Sequence, residues 1–530
     1  MKKGYVNIVL HAHLPYIRHL DDETVFEEEW FYEAMCESYM PLVRMLFKAR
    51  DEKLKYHITL VLSPTLVEMI KDRANCKGFV EYLDKHIELG EKELKRLEGN
   101  DEFYRVAEDT LNLYKAARNE VVNKYGEKLI NALIGLQESG YVEIITSVAA
   151  HTFLPIYESR PSLVKAEIAT ANSVHFTTFK DYSKGLWLPD CGYYPRLDEI
   201  LKKNAIESQY FFVSPVSFAL AKNNIKRGVY APVKTTSGMY VFAFETSLMN
   251  LVTSSIDGYP GDDDYREFYR DIGYDLPLSY IGEYVPDAEK RGFTGYKYYS
   301  VSGKKEDKKV YNKDKAMAKV DMHSSHFVDS IQARVKEVGA LIDQDPVINL
   351  AFDAELLGHW WKEGIDWLYS VIKKINANDN LSLITSSDYI KIYPDAEKAS
   401  LARSALTLNT YASPYLDGSN NKIQRVIFNA IDKVEDITAR YYNDKNPVRL
   451  RYIKQAVKEM LLATSSDWLQ IMHNNTSPIY AERKIEEHLQ SINKIYDLLS
   501  YGKGDTSWLV RQEKKYPLFD AIDYHTFTNK

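Results

Sequence analysis

Short apolar runs bounded by turn residues recur through the first 390 residues of the chain. Tyr5–Leu10, Ile58–Leu62, Val142–Thr146, Gly185–Leu188, Tyr210–Val213, Val347–Phe352 and Leu381–Thr385 are rich in Val, Ile, Leu or aromatic residues. Each is short enough to be a fully buried strand. Between many of them the apolar spacing is helical, as over Glu28–Lys48, and Glu91–Leu136 holds more than one helix. Buried strands alternating with helices predict an α/β fold with a parallel sheet, open or closed into a barrel. Tyr259 to about Asn312 differs: it is dense in Gly, Pro, Asp and Tyr and reads as an insert spanning about 256–312. A long irregular aromatic insert in a compact domain is functional or disordered, and its tyrosines predict a packed loop on the substrate side. Lys304–Lys319 is a mixed charge run, expected to be a solvated loop and a helix start. From about Leu401 the spacing turns helical, over Asn420–Tyr442, Arg449–Ala463 and Ile479–Leu499, with Asn446-Pro447 marking a helix start. The expected division is therefore residues 1–400, strands and helices, and residues 401–530, helices alone.

Polar residues capable of chemistry follow several of these runs: His11 and His13, His151, Asp190, and Asp353. In a parallel βα barrel every strand brings its C-terminal end to one face, so residues distant in sequence converge there. His11-Ala12-His13 on extended backbone puts both imidazoles on one side. They could form a metal pair, a clamp on sugar hydroxyls, or two satisfied polar residues at a strand end. Gly185–Pro195 sets Asp190 among Trp187, Tyr193 and Tyr194. An acid among aromatic rings suits a sugar subsite, although an Asp there could also cap the next helix. Asn349–Gly364 carries Asp353, Glu355, His359, Trp360 and Trp361 after a buried run, more polar and aromatic groups than packing needs. Asp353 lies at the strand end and is the better catalytic candidate, while Glu355 could face the sheet or pair with a base. Ser465–Asn475 adds Asp467 and Trp468, which could close over a cleft, although Asp467 could equally be an N-cap. Two carboxyl groups across an aromatic cleft are what cleavage of a glycosidic bond requires.

Composition narrows the field modestly. The chain has 530 residues, 45% hydrophobic and 27% charged, and a net charge of −7, which disfavours nucleic acid and anionic membrane as partners. The 40 tyrosines stand out against 20 Phe and 7 Trp and would suit a wet, sugar-stacking surface. The three cysteines are too few for a disulfide framework, so a reducing cytoplasmic setting is expected. The N-terminal run reads as a strand rather than a signal peptide, and no stretch approaches the length of a membrane span.

Taken together, HAHLPY (His11–Tyr16), GYVEIITSVAAH (Gly140–His151), WLPDCGYYP, FDAELLGHWW and SSDW resemble the five signature regions of glycoside hydrolase family 57. YPGDDDYREFYRD (Tyr259–Asp271) is similar to a segment of its branching-enzyme-type members. The resemblance implies a (β/α)7-type parallel barrel with a small inserted region and a C-terminal helical domain. It implies a branching enzyme or α-amylase-like protein acting on α-1,4-glucans by a retaining double-carboxylate mechanism, without cofactor or metal. Asp190 would be the nucleophile and Asp353 the general acid/base. His11, His13, His151, Trp187, Gly261, His359, Trp360 and Asp467 would contact the glucan.

The resemblance has departures. The family nucleophile is Glu, and Asp190 is one methylene shorter, about 1.5 Å. Retaining enzymes hold the carboxyls about 5–5.5 Å apart and inverting ones roughly 6.5–9.5 Å, so the shorter side chain brings the pair near the lower edge of the inverting range. Phe244 stands where relatives carry Arg, Thr253 where they carry Trp, and Arg196 where Gly is commoner. Leu406–Ile423 lacks the Trp platforms of branching enzymes. These changes keep open a catalytically inactive glucan-binding homologue. A zinc-dependent deacetylase or hydrolase built on His11, His13 and an Asp is the third reading.

Overall fold

The structure is a computed structural model; it describes residues 3–18, 26–126, 128–285, 287, 290–302, 308–406, 411–502 and 504–528. Nine strands form one sheet: β1 (Gly4–Ala12), β2 (Ile58–Leu62), β3 (Val142–Thr146), β4 (Gly185–Leu186), β5 (Tyr210–Val213), β6 (Val233–Lys234), β7 (Tyr240–Ala243), β8 (Val347–Asp353) and β9 (Leu381–Leu383). Their order is β6-β7-β5-β4-β3-β2-β1-β8, with β9 beside the start of β1, and only β6–β7 is antiparallel. The sheet curls until its ends meet: the Glu245 N–H donates to the Asn349 carbonyl at 3.0 Å, and the Asn349 side chain donates to the Ala243 carbonyl at 3.2 Å. Eight of the nine strands run parallel, seven of them in the curl from β7 to β8 and β9 beside β1, and with helices outside they give the expected βα-barrel. Because both faces are covered, β1 and β2 are almost wholly buried, which is why they read as continuous apolar runs rather than alternating ones. The polar residues inside the barrel satisfy one another: Asn7 donates to Asn349 at 3.1 Å and to Ser386 at 2.9 Å, and Thr59 donates to Asn7.

Two strands, β6 and β7, went unread in the sequence, and β4 is shorter than its apolar run because the chain leaves the sheet after Leu186 to make the turn that carries Asp190. The inserted region holds only short helices and isolated bridges, and its tyrosines are largely structural. Tyr280 and Tyr298 donate to Glu93, Tyr296 to the His86 carbonyl and Tyr284 to Glu88, which fastens the insert to the helix Arg73–Arg96. The tyrosine-rich loop expected on the substrate side is thus mainly an outer brace. Residues 304–307 of the charge run and 407–410 of Leu406–Ile423 lie outside the described residues, and the helix Lys313–Gly339 begins within the former stretch.

Beyond the barrel, the helices Asn421–Arg440, Pro447–Ala463 and Pro478–Tyr501 pack together. The middle one is buried at almost every residue from Tyr452 onward. The short helix Ser466–Asn474 follows it and docks on the barrel mouth, the Ser466 N–H reaching the His151 carbonyl at 3.3 Å. Among the described residues no helix is long and apolar enough to cross a membrane.

Candidate active site

The register of the sheet builds the first half of the site. His11 of β1 lies directly beside Asp353 of β8, and the His11 Nδ1 is 3.2 Å from Asp353 Oδ1. His13 projects from the same strand end and meets both oxygens of Asp467 through Nε2, at 2.9 and 3.0 Å. His151, in the loop after β3, stacks on His13 with ring centroids 3.7 Å apart and a 12° tilt. Asp467 therefore spans from the helical region to the barrel, and the N-cap of its helix is Ser465 instead. Ser465 donates to Asp467 Oδ2 at 2.6 Å and fixes that carboxylate in place.

Asp190 comes from the turn Pro189–Cys191 after β4, in left-handed backbone with φ 47° and ψ 30°. Cys191 (φ 50°) and His151 (φ 58°) share that conformation. Such residues cost about 1–2 kcal/mol each and cluster where a site demands them. The Asp190 carboxyl is half-buried and has no hydrogen-bond partner among the described residues. Burial, then the charges of Asp353 and Asp467, push it up to about 7 against a partial offset from His13. Those same charges place it in the cluster. Glu355, also half-buried, is pushed up to about 7 by burial and then by Asp353, and accepts from the Tyr39 hydroxyl and, at 3.2 Å, from the His13 N–H.

The imidazoles form a chain whose protons can be counted. The Ser466 hydroxyl donates to the His151 carbonyl at 2.6 Å, so its oxygen is an acceptor toward His151 Nδ1 at 3.2 Å. This puts the His151 proton on Nδ1. Burial, then His13 and His11, hold His151 well below the ordinary histidine value, so the ring is neutral and its Nε2 is bare. That nitrogen faces His11 Nε2 at 3.3 Å, which must carry a proton to complete the contact. Burial lowers His11 as well, outweighing the pull of Asp353. A neutral His11 protonated on Nε2 offers Asp353 a bare Nδ1.

The remaining sequence candidates are placed differently. Trp187 is buried, with one face against His11 at 4.8 Å and another near Phe244, so it backs the imidazole rather than offering a platform. Phe244 is buried too, stacked on Phe212 at 5.3 Å, in an apolar wall where an arginine would lack a partner. His359 and Trp360 form a second group beyond the cluster. His359 is held by Glu37 at 2.7 Å, and Trp360, 50% exposed, lies 4.4 Å from Phe268. His359 outweighs the effect of burial on Glu37 and holds that carboxyl down at about 2. Gly261 sits in the turn Tyr259–Gly261, close against the Ser255 carbonyl, and this turn packs on the helices Thr246–Thr253 and Lys313–Gly339, away from the cluster. Trp361 is core, 1% exposed. Ser466 and Phe268 lie in motifs singled out in the sequence without being assigned a part. Glu37 and Tyr39 sit in the π-turn Met35–Tyr39, which has no signal in the sequence.

His13, His151 and Asp467 have donor atoms within 4.8 Å of one another, and they alone among the described residues could gather a metal ion in this cluster. Face-to-face stacking of the two rings sends their lone pairs along parallel planes, which fits tetrahedral ligation poorly.

Comparison with known proteins gives one consistent answer. Residues 7–402 match the model described as glycosyl hydrolase family 57, and residues 427–527 match the model of the 1,4-alpha-glucan branching enzyme C-terminal region. A 1,4-alpha-glucan branching enzyme of Thermococcus kodakarensis is 28% identical over 97% of this chain and 77% of its own length. A probable 1,4-alpha-glucan branching enzyme of Mycobacterium tuberculosis is 25% identical over 98% and 97%. Among solved structures, the alpha-amylase AmyC of Thermotoga maritima superimposes with a TM-score of 0.92 at 33% identity, covering 99% of both chains. The Thermococcus enzyme superimposes with a TM-score of 0.89 at 25% identity, covering 100% of this chain and 97% of the other.

Proposed function

The chain belongs to glycosyl hydrolase family 57, and from that premise we propose that it opens α-1,4 bonds of a glucan and passes the released chain to another sugar or to water, with Asp353 and Asp190 as the two carboxyl groups. The observation that carries this reading is the convergence of Asp190, Asp353, Asp467, His11, His13 and His151 on one end of the barrel.

Asp353 is the general acid. Its side chain is 74% exposed, so it reaches into the cleft, with the His11 ring at its back. The chain from Ser466 through His151 and His11 orients the imidazole beside it, and the role requires the carboxyl to give a proton to the leaving oxygen. Asp190 attacks the anomeric carbon, or in an inverting variant activates water. It must be ionised for either role, and its carboxylate, without a hydrogen-bond partner among the described residues, is left to meet the sugar. The His13–Asp467 pair and His151 hold sugar hydroxyls. Trp360 with Phe268 offers an aromatic shelf for a neighbouring sugar. In this reading residues 1–400 supply the carboxyl pair, and residues 401–530 supply Asp467 and Ser466 to complete the cleft.

One specific observation favours a second reading, a glucan-binding homologue without turnover: Asp190 is short, and its charge is disfavoured near neutral pH. The test is activity on amylose and amylopectin, followed by reducing ends and chain-length profile, for the native protein beside Asp190→Glu. New branches or ends from the native protein support the enzyme. Activity confined to Asp190→Glu means an intact cleft that has lost turnover at that residue. Inactivity of both overturns the proposal.

A further inference from the structure

Behind the segment Ala354–Glu363 lies a second cleft, of about 410 Å³, that the proposed reaction does not use. It is bounded by the helix Met40–Asp51, the helix Asp101–Asn119, the inserted region and the start of the helix Gly364–Asn376. It is of ligand-binding size, and its walls are charged. Most of those charges are spoken for. Arg44 donates twice to Glu120 at 2.9 Å, Lys313 donates to Asp109 at 2.9 Å, and Glu37 is committed to His359.

Two cations remain. Arg266 is 6% exposed, its Nε meets no acceptor, and among the described residues no carboxylate stands within ion-pair distance of its guanidinium. Lys362, half-buried on the facing loop, has no ion-pair partner among the described residues either, and burial followed by Arg266 pushes its ammonium down to about 8. Glu363, Glu37 and Asp109 lie near enough to favour the Lys362 charge, but among the described residues none of them makes an ion pair with Lys362 or Arg266. Glu363 Oε1 accepts the Arg266 backbone N–H at 3.3 Å, and burial opposes its charge while Tyr311, Arg266 and Lys362 favour it. A guanidinium is charged at every accessible pH, and burying a charge without a counter-ion is strongly unfavourable. Water could satisfy the Nε, but it would leave two positive groups side by side.

We propose that this cleft binds a small oxyanion, inorganic phosphate or the phosphate group of a phosphorylated sugar, between Arg266 and Lys362. The planar fork of an arginine and the point charge of a lysine are a common pair for such a group. The occupant would sit against the back of the loop that carries His359, where Gly358 (φ 99°) presses so closely on the Glu37 carbonyl that no side chain fits.

The test is calorimetric and ³¹P NMR titration of the full chain with inorganic phosphate and, separately, with a hexose phosphate. The variants are Lys362→Gln, Arg266→Gln and, as a distant exposed control, Lys445→Gln. The expected result is one phosphate bound per chain, weakened at least about tenfold by Lys362→Gln and unchanged by Lys445→Gln. Equal binding of both ligands means the phosphate group alone is recognised; tighter binding of the hexose phosphate makes the sugar part of the ligand. Lys362 is partly exposed, so its variant keeps the test sound if Arg266→Gln fails to fold. Absence of binding to the native chain, or binding that Lys362→Gln leaves unchanged, overturns the proposal.

Discussion

The segments after β4 and after β8 each set one carboxyl group on the same end of the barrel, and they do so in opposite ways. At the end of β8 Asp353 itself is extended, just before the 3-10 turn Ala354–Leu356, and stands mostly in solvent with a histidine at its back. After β4 the chain turns through two successive left-handed residues, and Asp190 is half-buried, without a side-chain partner among the described residues, with its charge opposed by burial and by two other acids. The contrast suits a division of labour in which one group must hold a proton and the other must lose it. It also shows where this molecule is fragile. In the proposed roles, the acid is held against His11, whereas the nucleophile depends on what the substrate brings.

The largest effects come from removing either group. Asp353→Asn and Asp190→Asn are each expected to lower kcat on amylose by about 10²–10⁴, measured as new reducing ends or branches. If one variant keeps native activity, the division of labour fails at that residue. Next in size is Asp190→Glu. Restoring the missing methylene should raise kcat up to about a hundredfold, the usual scale for correcting a 1 Å misplacement. A fall in kcat instead would mean that the left-handed turn is fitted to the shorter side chain.

The third prediction concerns pH. In its proposed role Asp190 works only when ionised, so kcat/KM should rise as pH climbs through about 7. Because Asp467 is one of the charges opposing that ionisation, Asp467→Asn should move the midpoint of this limb to lower pH, whatever it does to the height. An unmoved midpoint would assign the limb to another group. The same raised value has a stability consequence. Between the ordinary 3.8 and about 7 the folded chain holds the Asp190 proton more tightly than the unfolded chain, so this residue makes stability fall as pH rises across that window. Asp190→Asn should flatten that part of the Tm–pH curve. The smallest effect is expected for Ser466→Ala. Loss of one hydrogen bond worth about 1 kcal/mol should lower the rate roughly fivefold as the His151 and His11 rings lose their fixed orientation. An unchanged rate would reduce Ser466 to a packing role.

Much of the barrel could be read along the chain because buried parallel strands are short, apolar and ended by turns, as at Ile58–Leu62 and Val142–Thr146. The helices of the C-terminal region were legible for a similar reason: their apolar spacing is regular and Pro447 marks a start. Tyr240–Ala243 escaped because four residues after a Ser-Gly turn carry no period of their own; the sheet makes it a strand. The strand-end residues His11, His13, Asp190 and Asp353 could be named from position alone. What those residues touch could not. Whether Asp467 caps its helix or grips His13 depends on packing across a separation of 454 residues. Trp187 had the composition of a sugar platform, but its ring is covered by His11. Arg196, where a glycine is commoner, has φ 78°, so the unusual side chain sits in backbone that favours glycine. Its two hydrogen bonds to Glu199, both 3.0 Å, help hold it there.

The contacts of Asp467 with His13 and of Ser466 with His151 also govern when the molecule becomes competent. A ribosome delivers His13 454 residues before Asp467, and domains fold largely in the order they emerge. The barrel can therefore be assembled, with both proposed carboxyl groups in position, while the cleft is still missing one wall. A chain that stops short of Ser465, by premature termination or by a protease nick, keeps its two acids and loses the clamp on the sugar. Under the proposed function, turnover is thereby tied to synthesis of the chain as far as Asp467.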